Sequence, residues 1–446
     1  MDTPIIDFVK EYANSKSCRL HMPGHKGKTL LGLEKLDITE IDGADCLYNA
    51  NGIIKKSREN ASRIFGAHTF YSTEGSSLCI RAMLYLALKN AKNNGDKPFV
   101  LAGRNAHKAF LSAVGLLDID VKWIYPEDND AYLSCSITPQ KLMLELQSCK
   151  IKPIAVYLTS PDYLGNLLEI QKLAKICKEQ KVLLLVDNAH GAYLKFLPKS
   201  LHPIDLGADM CCDSAHKTLP ALTGSAYLHL SKNLSQEIVD QAEHALSIFA
   251  STSPSYLSLQ SLDEVNLYLC QGYKENLQKF IEKINALKTS LIKHGYTLFG
   301  NEPLKITINA KDFGYTGLEL NDILKNNDVY CEFYDKDFLV MMFTPSLEDE
   351  WLNKIGVILC SLNKKTVIND TAPKPNKASK ILSVKQALLS NCELVKTENA
   401  LGRVFASLSI NCPPAIPIVV CGERIDENAI KCLKHYQIES CFVVKE

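Results

Sequence analysis

The feature that most constrains the fold is a series of continuous apolar runs that alternate with amphipathic segments. The run PIAVYLTSPDYLG (153–165) is followed by LLEIQKLAKICKEQ (167–180) and then by KVLLLVDNAHG (181–191). Strands that are buried on both faces lack polar alternation, and the helices between them cover the two faces of a parallel sheet. The pattern therefore predicts an α/β core over about residues 60–250.

The pattern changes after this core. A long helical stretch at about 255–294 leads into short strands mixed with helices, which is typical of a smaller α+β domain. The polar, proline-bearing segment NDTAPKPNKAS (369–379) is typical of a linker. We predict four parts, in chain order: an N-terminal segment (1–30), a large domain (31–265), a small α+β domain (266–368) and a C-terminal domain (369–446).

Composition narrows the partners and the compartment. The chain has 50 Lys and Arg against 50 Asp and Glu, which gives no global attraction to nucleic acid or to an anionic membrane. No apolar run reaches the length of about 18 residues that a membrane span needs. The 16 cysteines include no C-x-x-C pair, so we expect no metal site, reduced thiols and a cytoplasmic location.

The segment DMCCDSAHKTLPALTGSAY (209–227) places Lys217 between apolar flanks. A lysine amine pushed toward neutrality is the group that a Schiff-base enzyme needs. Asp187 ends an apolar strand 30 residues earlier. This order is expected of a pyridoxal phosphate site, where the aspartate holds the ring nitrogen and the lysine holds the aldehyde. The alternatives are a surface lysine and an aspartate that caps a helix or forms a core ion pair.

A candidate phosphate site precedes both residues. A short strand at 69–72 is followed by Gly75 and by a helix that begins at about Ser76, with Ser77 beside it. Free backbone N–H groups and the helix dipole favour an anion at such a terminus. Glu74 should then point away from the phosphate. His107 follows the next strand, at 99–102, and ligands bind at the carboxyl ends of strands in open α/β sheets.

Five stretches resemble motifs of the Orn/Lys/Arg decarboxylase family. They are RLHMPGHKGK (19–28), DNAHGAY (187–193), DSAHKTLPALTGSAYL (213–228), STSPSY (251–256) and PPAIPIVVCGERI (413–425). The resemblance implies a fold-type-I pyridoxal phosphate-dependent fold with a mostly parallel sheet, in the short form without a wing domain. It also implies decarboxylation of lysine, arginine or ornithine to an amine, a role in polyamine metabolism, and a homodimer or higher homo-oligomer.

The resemblance assigns roles to particular residues. Lys217 would bind the cofactor aldehyde and Asp187 its ring nitrogen, while His107 would stack on the ring. Further cofactor contacts would come from His190, which would orient Asp187 or contact the edge of the ring, and from Ser214 and His216 at the phosphate. His216 or the released Lys217 would return a proton to Cα. Ser253 would reach the phosphate of a neighbouring subunit; the alternative is a simple turn before Pro254.

Three positions depart from the family pattern. Asp162 stands where threonine is usual, Ala415 where glycine is usual and Cys421 where proline is usual. Glu423 remains, and in the family this glutamate lies near the distal cation of the substrate. A cation that enters a partly dry pocket needs an anion. We therefore predict Glu423 as the substrate anchor and Asp162 as the second candidate.

Two other functions are open at the level of sequence. An aminotransferase of the same fold type would use the same aspartate and lysine, but it usually needs an arginine late in the chain for the substrate α-carboxylate. No arginine occurs between Arg104 and Arg403, which disfavours that function. An inactive paralogue that binds a partner would be expected to lack Asp187 or Lys217, and the chain has both.

Overall fold

The fold is taken from a computed structural model that describes residues 1–91, 96–127, 130–370, 372–373, 376–408 and 418–446. The sequence predicts that the helix beginning at about Ser76 ends at Gly95. Gly95 and the departure at Ala415 lie outside the described residues. Among the described helices, none combines the length and the apolar character that crossing a bilayer requires.

The elements follow one another in the predicted alternation over the first 230 residues. The helices are α1 (Pro4–Asn14), α2 (Ile53–Phe65), α3 (Gly75–Asn90), α4 (Lys108–Leu117), α5 (Pro139–Gln147), α6 (Ile170–Glu179), α7 (Ala215–Thr218), α8 (Gln236–Asp240), α9 (Ala242–Ser247), α10 (Tyr256–Cys270), α11 (Tyr273–His294), α12 (Gly317–Lys325), α13 (Asp349–Cys360), α14 (Val384–Leu389) and α15 (Glu427–His435). The strands are β1 (His68–Ser72), β2 (Phe99–Gly103), β3 (Asp120–Ile124), β4 (Ala155–Thr159), β5 (Leu183–Asp187), β6 (Met210–Asp213), β7 (Ala226–Leu230), β8 (Thr297–Phe299), β9 (Lys305–Asn309), β10 (Phe333–Tyr334), β11 (Phe338–Met342), β12 (Cys392–Lys396) and β13 (Ser440–Val444).

The chain divides into two compact units, of which the first comprises residues 1–92 and 170–276. Within it, β5 pairs with β6 in parallel, and β7 runs antiparallel to both β6 and β1. The parallel register sets Val186 opposite Cys211 and Asp187 opposite Cys212. Because the carboxyl ends of parallel strands lie at the same edge, the loops that follow β5 and β6 begin side by side.

The second unit comprises residues 93–169 and 277–446. It contains β2 in parallel with both β3 and β4, and a separate antiparallel sheet in the order β10-β11-β9-β8. β12 and β13 form an antiparallel pair near the C-terminus. Short strands mixed with helices were expected after residue 266, and they are present. The predicted domain borders at 30, 265 and 368 remain a prediction, because compactness alone does not define a domain.

Two local details go beyond the sequence prediction. The long helical stretch predicted at about 255–294 is present as two helices, α10 and α11, which are separated at Gln271 and Gly272. Gly272 has a φ of +78°, a conformation that glycine adopts without steric cost and that ends a helix. The antiparallel direction of β7 was also not anticipated, since its sequence AYLHL is mostly apolar like the parallel strands, with His229 as its one polar residue.

Candidate active site

Lys217 lies in the single turn of α7, which begins just beyond the end of β6. Its Nζ is 3.0 Å from Nε2 of His190, in the loop that follows β5. His190 is buried, whereas Lys217 is half-buried, so the lysine is less enclosed than its apolar flanks indicate. The two loops thus bring an amine and an imidazole within hydrogen-bonding distance, and a proton can pass between them.

Asp187 is the last residue of β5 and is 3% exposed. Its Oδ1 accepts hydrogen bonds from the Ala189 N–H at 3.2 Å and from the Cys212 thiol at 3.6 Å. The Cys212 contact follows from the strand register, because residues that are paired across a parallel ladder point to the same face. Asp187 and Cys212 therefore share one face of the sheet. Asp187 lies at the end of its strand, where the sequence predicts it.

The start of α3 contacts the loop that follows Lys217. The Gly75 N–H donates to the Gly224 carbonyl at 2.7 Å, and Gly75 has a φ of +71°. A Cβ on Gly224, whose φ is +94°, would lie 2.8 Å from the Thr73 carbonyl oxygen. Only glycine therefore permits this close approach.

Two serine hydroxyls meet at this helix terminus. The Ser214 hydroxyl donates to the Ser76 hydroxyl oxygen at 2.9 Å, and Ser77 lies half-buried in the same first turn. The N-cap residue Glu74 makes no side-chain capping bond to α3. The Gly75 N–H is used by the Gly224 carbonyl, so the N–H groups that follow it in the first turn are the ones that can bind an anion. The structure brings together the predicted phosphate residues before and after Asp187.

Glu74 and Ser253 lie around the exposed loop that follows α9. Glu74 Oε1 accepts the Ser251 N–H at 2.7 Å, and the Ser253 N–H donates to the Ser251 hydroxyl at 3.1 Å. Glu74 is thus held by a backbone donor, and its expected orientation away from the phosphate stays a prediction. Ser253 is exposed, and its predicted contact with a neighbouring subunit stays a prediction.

His216 and His107 each use Nδ1 for a backbone contact. His216 Nδ1 lies 3.0 Å from the Ser225 carbonyl oxygen, and burial lowers the pKa of His216. Because a carbonyl only accepts, Nδ1 carries the hydrogen and Nε2 of the neutral ring is left as the acceptor. In the second unit, His107 caps α4, and its Nδ1 accepts the Ala109 N–H at 3.1 Å. Nε2 of a neutral His107 ring therefore carries the hydrogen.

Glu423 forms a buried ion pair that the sequence did not reveal. Arg104 Nη2 is 2.9 Å from Glu423 Oε2, and each side chain is 5% exposed. Oε2 also accepts the Val420 N–H at 2.7 Å, while Arg104 donates to the Ile418 carbonyl at 3.2 Å. Arg104 follows β2 directly, and its guanidinium lies 5.3 Å from the Trp123 ring centroid. The predicted substrate anchor already has a cationic partner within its own unit.

Asp162 is buried, and its carboxylate is bound by its own loop. It accepts the N–H groups of Leu164 at 3.0 Å and Asn166 at 2.8 Å, and the Asn166 side-chain amide at 2.7 Å. Burial raises the pKa of Asp162. The cationic Lys305 Nζ donates to the Asp162 carbonyl at 3.2 Å. These three hydrogen bonds show that the Asp162 carboxylate stabilises the conformation of its own loop. The predicted contact of Asp162 with the substrate stays a prediction.

Comparison with solved structures identifies the fold of this chain. The solved Francisella novicida lysine decarboxylase superposes with a TM-score of 0.81 at 16% identity, over 99% of this chain and 81% of the other. The chain therefore has the predicted fold, that of the fold-type-I pyridoxal phosphate-dependent enzymes, with a mostly parallel large sheet.

The family follows from sequence models. The Orn/Lys/Arg decarboxylase major-domain model matches residues 3–299, and the C-terminal-domain model matches residues 364–442. The chain belongs to the Orn/Lys/Arg decarboxylase family and is an enzyme of the pyridoxal phosphate-dependent amino acid decarboxylase class. This finding confirms the predicted resemblance and favours neither the aminotransferase nor the inactive paralogue.

Two relatives from Bacillus subtilis span nearly the whole chain. An uncharacterized protein, YaaO, is 28% identical and covers 97% of this chain and 93% of its own length. An arginine decarboxylase is 27% identical and covers 96% of this chain and 92% of its own length. The similarity therefore extends over all the regions that hold the predicted site residues.

We expect the Glu423→Gln variant to lower the free energy of unfolding by roughly 3–5 kcal/mol, because it leaves a buried guanidinium without its counter-ion. Glu393→Gln is the matched control, since Glu393 pairs with Arg403 at 2.7 Å but is 42% exposed. Its loss should stay within about 1 kcal/mol. Denaturant unfolding of both variants measures the difference, and equal losses would show that the Arg104–Glu423 pair does not have the energetics of a buried pair.

Proposed function

We propose that the protein decarboxylates a basic amino acid (lysine, arginine or ornithine) to the corresponding amine with pyridoxal 5'-phosphate. The observation that carries the proposal is the 3.0 Å approach of Lys217 Nζ to His190 Nε2, in loops that follow the paired strands β5 and β6. Asp187 lies at the end of β5, within the same loop system. The family assignment and the printed names of the relatives support the reaction and the class of substrate.

The donor set fits the proposed cofactor. An amine suits an aldehyde, a carboxylate suits a ring nitrogen that carries a proton, and serine hydroxyls beside uncapped helix N–H groups suit a phosphate. Lys217, Asp187, Ser76 and Ser214 supply these groups within one compact unit. When bound, pyridoxal phosphate supplies an electron sink for the electrons of the Cα–carboxylate bond.

The chain's own residues would manage the protons. An ionised Asp187 holds a proton on a nitrogen placed against it, because an adjacent anion favours the charged form. His190 Nε2 lies within reach of a proton from Lys217, and an amine must be neutral to act as a nucleophile. A Lys217 amine that the cofactor does not hold could return a proton to Cα. His216 Nε2 is the alternative proton carrier, because Nδ1 is used by the Ser225 carbonyl.

We propose that Glu423 binds the cationic distal end of the substrate. Its carboxylate already pairs with Arg104, which weakens its attraction for a second cation. A carboxylate that is neutralised by Arg104 attracts a second cation less strongly than a carboxylate without a partner. Glu423 Oε2 holds both Arg104 and the Val420 N–H. We propose that Oε1 meets the substrate cation while Arg104 and the Val420 N–H hold Oε2. Asp162 is the weaker candidate, because its own loop uses its carboxylate.

We also propose that the enzyme acts in the cytoplasm and supplies amines for polyamine metabolism. The cysteines among the described residues are all free thiols, including the adjacent buried pair Cys211 and Cys212. Free thiols in this number are typical of a reducing compartment. The product of decarboxylating ornithine, lysine or arginine is a dicationic amine, which is a chemical starting point for a polyamine.

Incubating the cofactor-loaded protein separately with arginine, lysine and ornithine should release carbon dioxide and amine in equal amounts from at least one of them. The rate of carbon dioxide release should fall by about two orders of magnitude or more in the Asp187→Asn variant, because the ring nitrogen would lose its anionic partner. Lys232→Ala, at an exposed lysine of the same unit, is the control and should keep full activity. Absence of carbon dioxide with all three substrates would contradict the proposed function.

We further propose a homodimer or a higher homo-oligomer in which a neighbouring subunit contributes Ser253. Support comes from the N-terminal loop, where Leu20, Met22, Leu30 and Leu31 are between 68% and 91% exposed. Apolar side chains clustered at the surface mark association sites. Sedimentation should give at least twice the chain mass of 49.6 kDa. The double variant Leu30→Glu, Leu31→Glu should sediment as a monomer and lose activity, whereas Leu389→Glu, also exposed, should do neither.

A fully active monomer in the wild-type protein would contradict the shared site. A double variant that still sediments with the wild-type mass would show that Leu30 and Leu31 do not lie in the interface.

A further inference from the structure

A second carboxylate lies behind the candidate active site, on the opposite face of the same strands. Successive strand residues point to opposite faces, so Asp213 faces away from Cys212 and Asn188 faces away from Asp187. Asp213 is 0% exposed, and so is Asn188. The loops that carry Asp187 and Lys217 thus share a buried polar layer that the proposed function does not use.

Three donors from three different segments converge on Asp213. Asn188 Nδ2 donates to Oδ1 at 2.6 Å, His202 Nε2 to Oδ2 at 3.0 Å and His229 Nε2 to Oδ2 at 3.2 Å. The other nitrogen of His229, Nδ1, is 2.9 Å from the Thr69 hydroxyl. The carboxylate therefore links the ends of β5 and β6 to β7 and to the segment around His202.

This environment favours the ionised carboxylate. Burial alone would raise the pKa of Asp213, yet the charges and hydrogen bonds of His202 and His229 bring the pKa below its ordinary value. The rings of the two histidines meet edge to face with centroids 5.2 Å apart, and Phe65 covers His229 at 4.5 Å. A buried anion with three donors and aromatic walls tolerates little displacement, because each lost bond leaves a buried polar group unsatisfied.

The Asn188 side chain transmits this constraint to His190. Asn188 Oδ1 lies so close to Gly191 that a Cβ there would be 2.1 Å away, and the Gly191 N–H donates to the Asn188 carbonyl at 2.7 Å. Gly191 therefore packs against the side-chain amide of Asn188, and the hydrogen bond to Asp213 fixes the position of that amide. At the other end, Asp213 precedes Ser214 and the turn of α7 that carries Lys217.

We propose that Asp213 is a positioning residue that fixes the distance between the Asp187–His190 loop and Lys217 from the opposite face of the sheet. The proposal rests on the proposed function, since the spacing matters for a cofactor held at both ends. Displacement of about 1 Å at a reacting centre costs about 100-fold in rate. Asp213 makes no contact with the reacting atoms; it acts through Asn188 and through the start of α7.

The test exchanges the two side chains. With Asn188 in its observed orientation against Gly191, the new amide of Asp213→Asn must present an N–H either to Asn188 Nδ2 or to the two histidine N–H groups, so at least one donor faces another donor. In the double variant Asp213→Asn, Asn188→Asp, the amide oxygen accepts from both histidines and its N–H₂ donates to the new carboxylate. Every hydrogen bond of the cluster is then restored.

We expect Asp213→Asn to lower kcat by about 10- to 100-fold with KM changed by less than about threefold, and the exchanged double variant to recover kcat to within about threefold. Visible-region circular dichroism of the bound cofactor should change in the single variant and return in the double variant. The affinity of the cofactor-free protein for pyridoxal phosphate provides a readout that does not depend on turnover. Asp209→Asn is the control, because Asp209 Oδ2 accepts the Leu184 N–H at the opposite end of β6.

Several outcomes would overturn the proposal. A folded Asp213→Asn variant with wild-type kcat and wild-type circular dichroism would do so, and so would a double variant that recovers nothing. One equivalent of metal in the wild-type protein that is lost with Asp213 would show that the His202, Cys211 and Asp213 cluster serves an ion instead.

Two further comparisons keep the result interpretable. If Asp213→Asn does not fold, His202→Gln, which keeps a donor, should retain the cofactor spectrum while His202→Leu alters it; identical spectra in both would overturn the proposal. A wild-type protein without a cofactor band or carbon dioxide release would instead refute the proposed function.

Discussion

The parallel pairing of β5 with β6 is the constraint on which the candidate site depends. Three residue pairs, from Leu185–Met210 to Asp187–Cys212, set the register. This register places the loop with Asp187 and His190 beside the loop with Ser214 and Lys217. A slip of one residue would turn Asp187 to the other face of the sheet. Asp213, bound by Asn188, His202 and His229, opposes such movement from the opposite face.

The Arg104–Glu423 pair gives the second unit a comparable internal constraint. It joins the end of β2 to the C-terminal region across 319 residues of sequence. A buried pair of this kind contributes less to stability than its geometry indicates, because both charges lose their hydration. Its value lies in orientation, because Arg104 Nη2 and the Val420 N–H both donate to Oε2 of Glu423 and restrict the movement of the carboxylate. Under the proposed function, a fixed carboxylate would discriminate substrates by the length of their cationic side chain.

Much of the fold and part of the site could be predicted from sequence. Lys217 and Asp187 were identifiable because the site requires a lysine and an aspartate at the ends of apolar strands, which is a local pattern. The α3 terminus with Gly75 and Ser76 was identifiable for the same reason. The fold class and the family, confirmed by the comparisons, followed from motifs that are also local.

The contacts that depend on long-range packing could not be predicted. No local pattern links Arg104 to Glu423, or shows that the Asp162 carboxylate would bind its own loop. Asp213 stands inside the DSAHK motif, yet its neighbours His202 and His229 are brought to it only by the pairing of β6 with β7. That pairing is antiparallel, and the apolar sequence of β7 does not encode direction. His229 alternates with Leu228 and Leu230 on the strand, which was the one local signal of a polar position on the far face.

Lys217 is the amine proposed to hold the cofactor aldehyde, and the role of every other residue in the candidate site depends on it. Borohydride reduction of the cofactor-loaded protein makes such a bond permanent, and peptide mass mapping then locates the label. The account predicts one label per chain, on the peptide that contains Lys217, and none in protein in which Lys217 is replaced by alanine. A label on another lysine, such as Lys26 or Lys108, or an unlabelled wild-type protein, would contradict it.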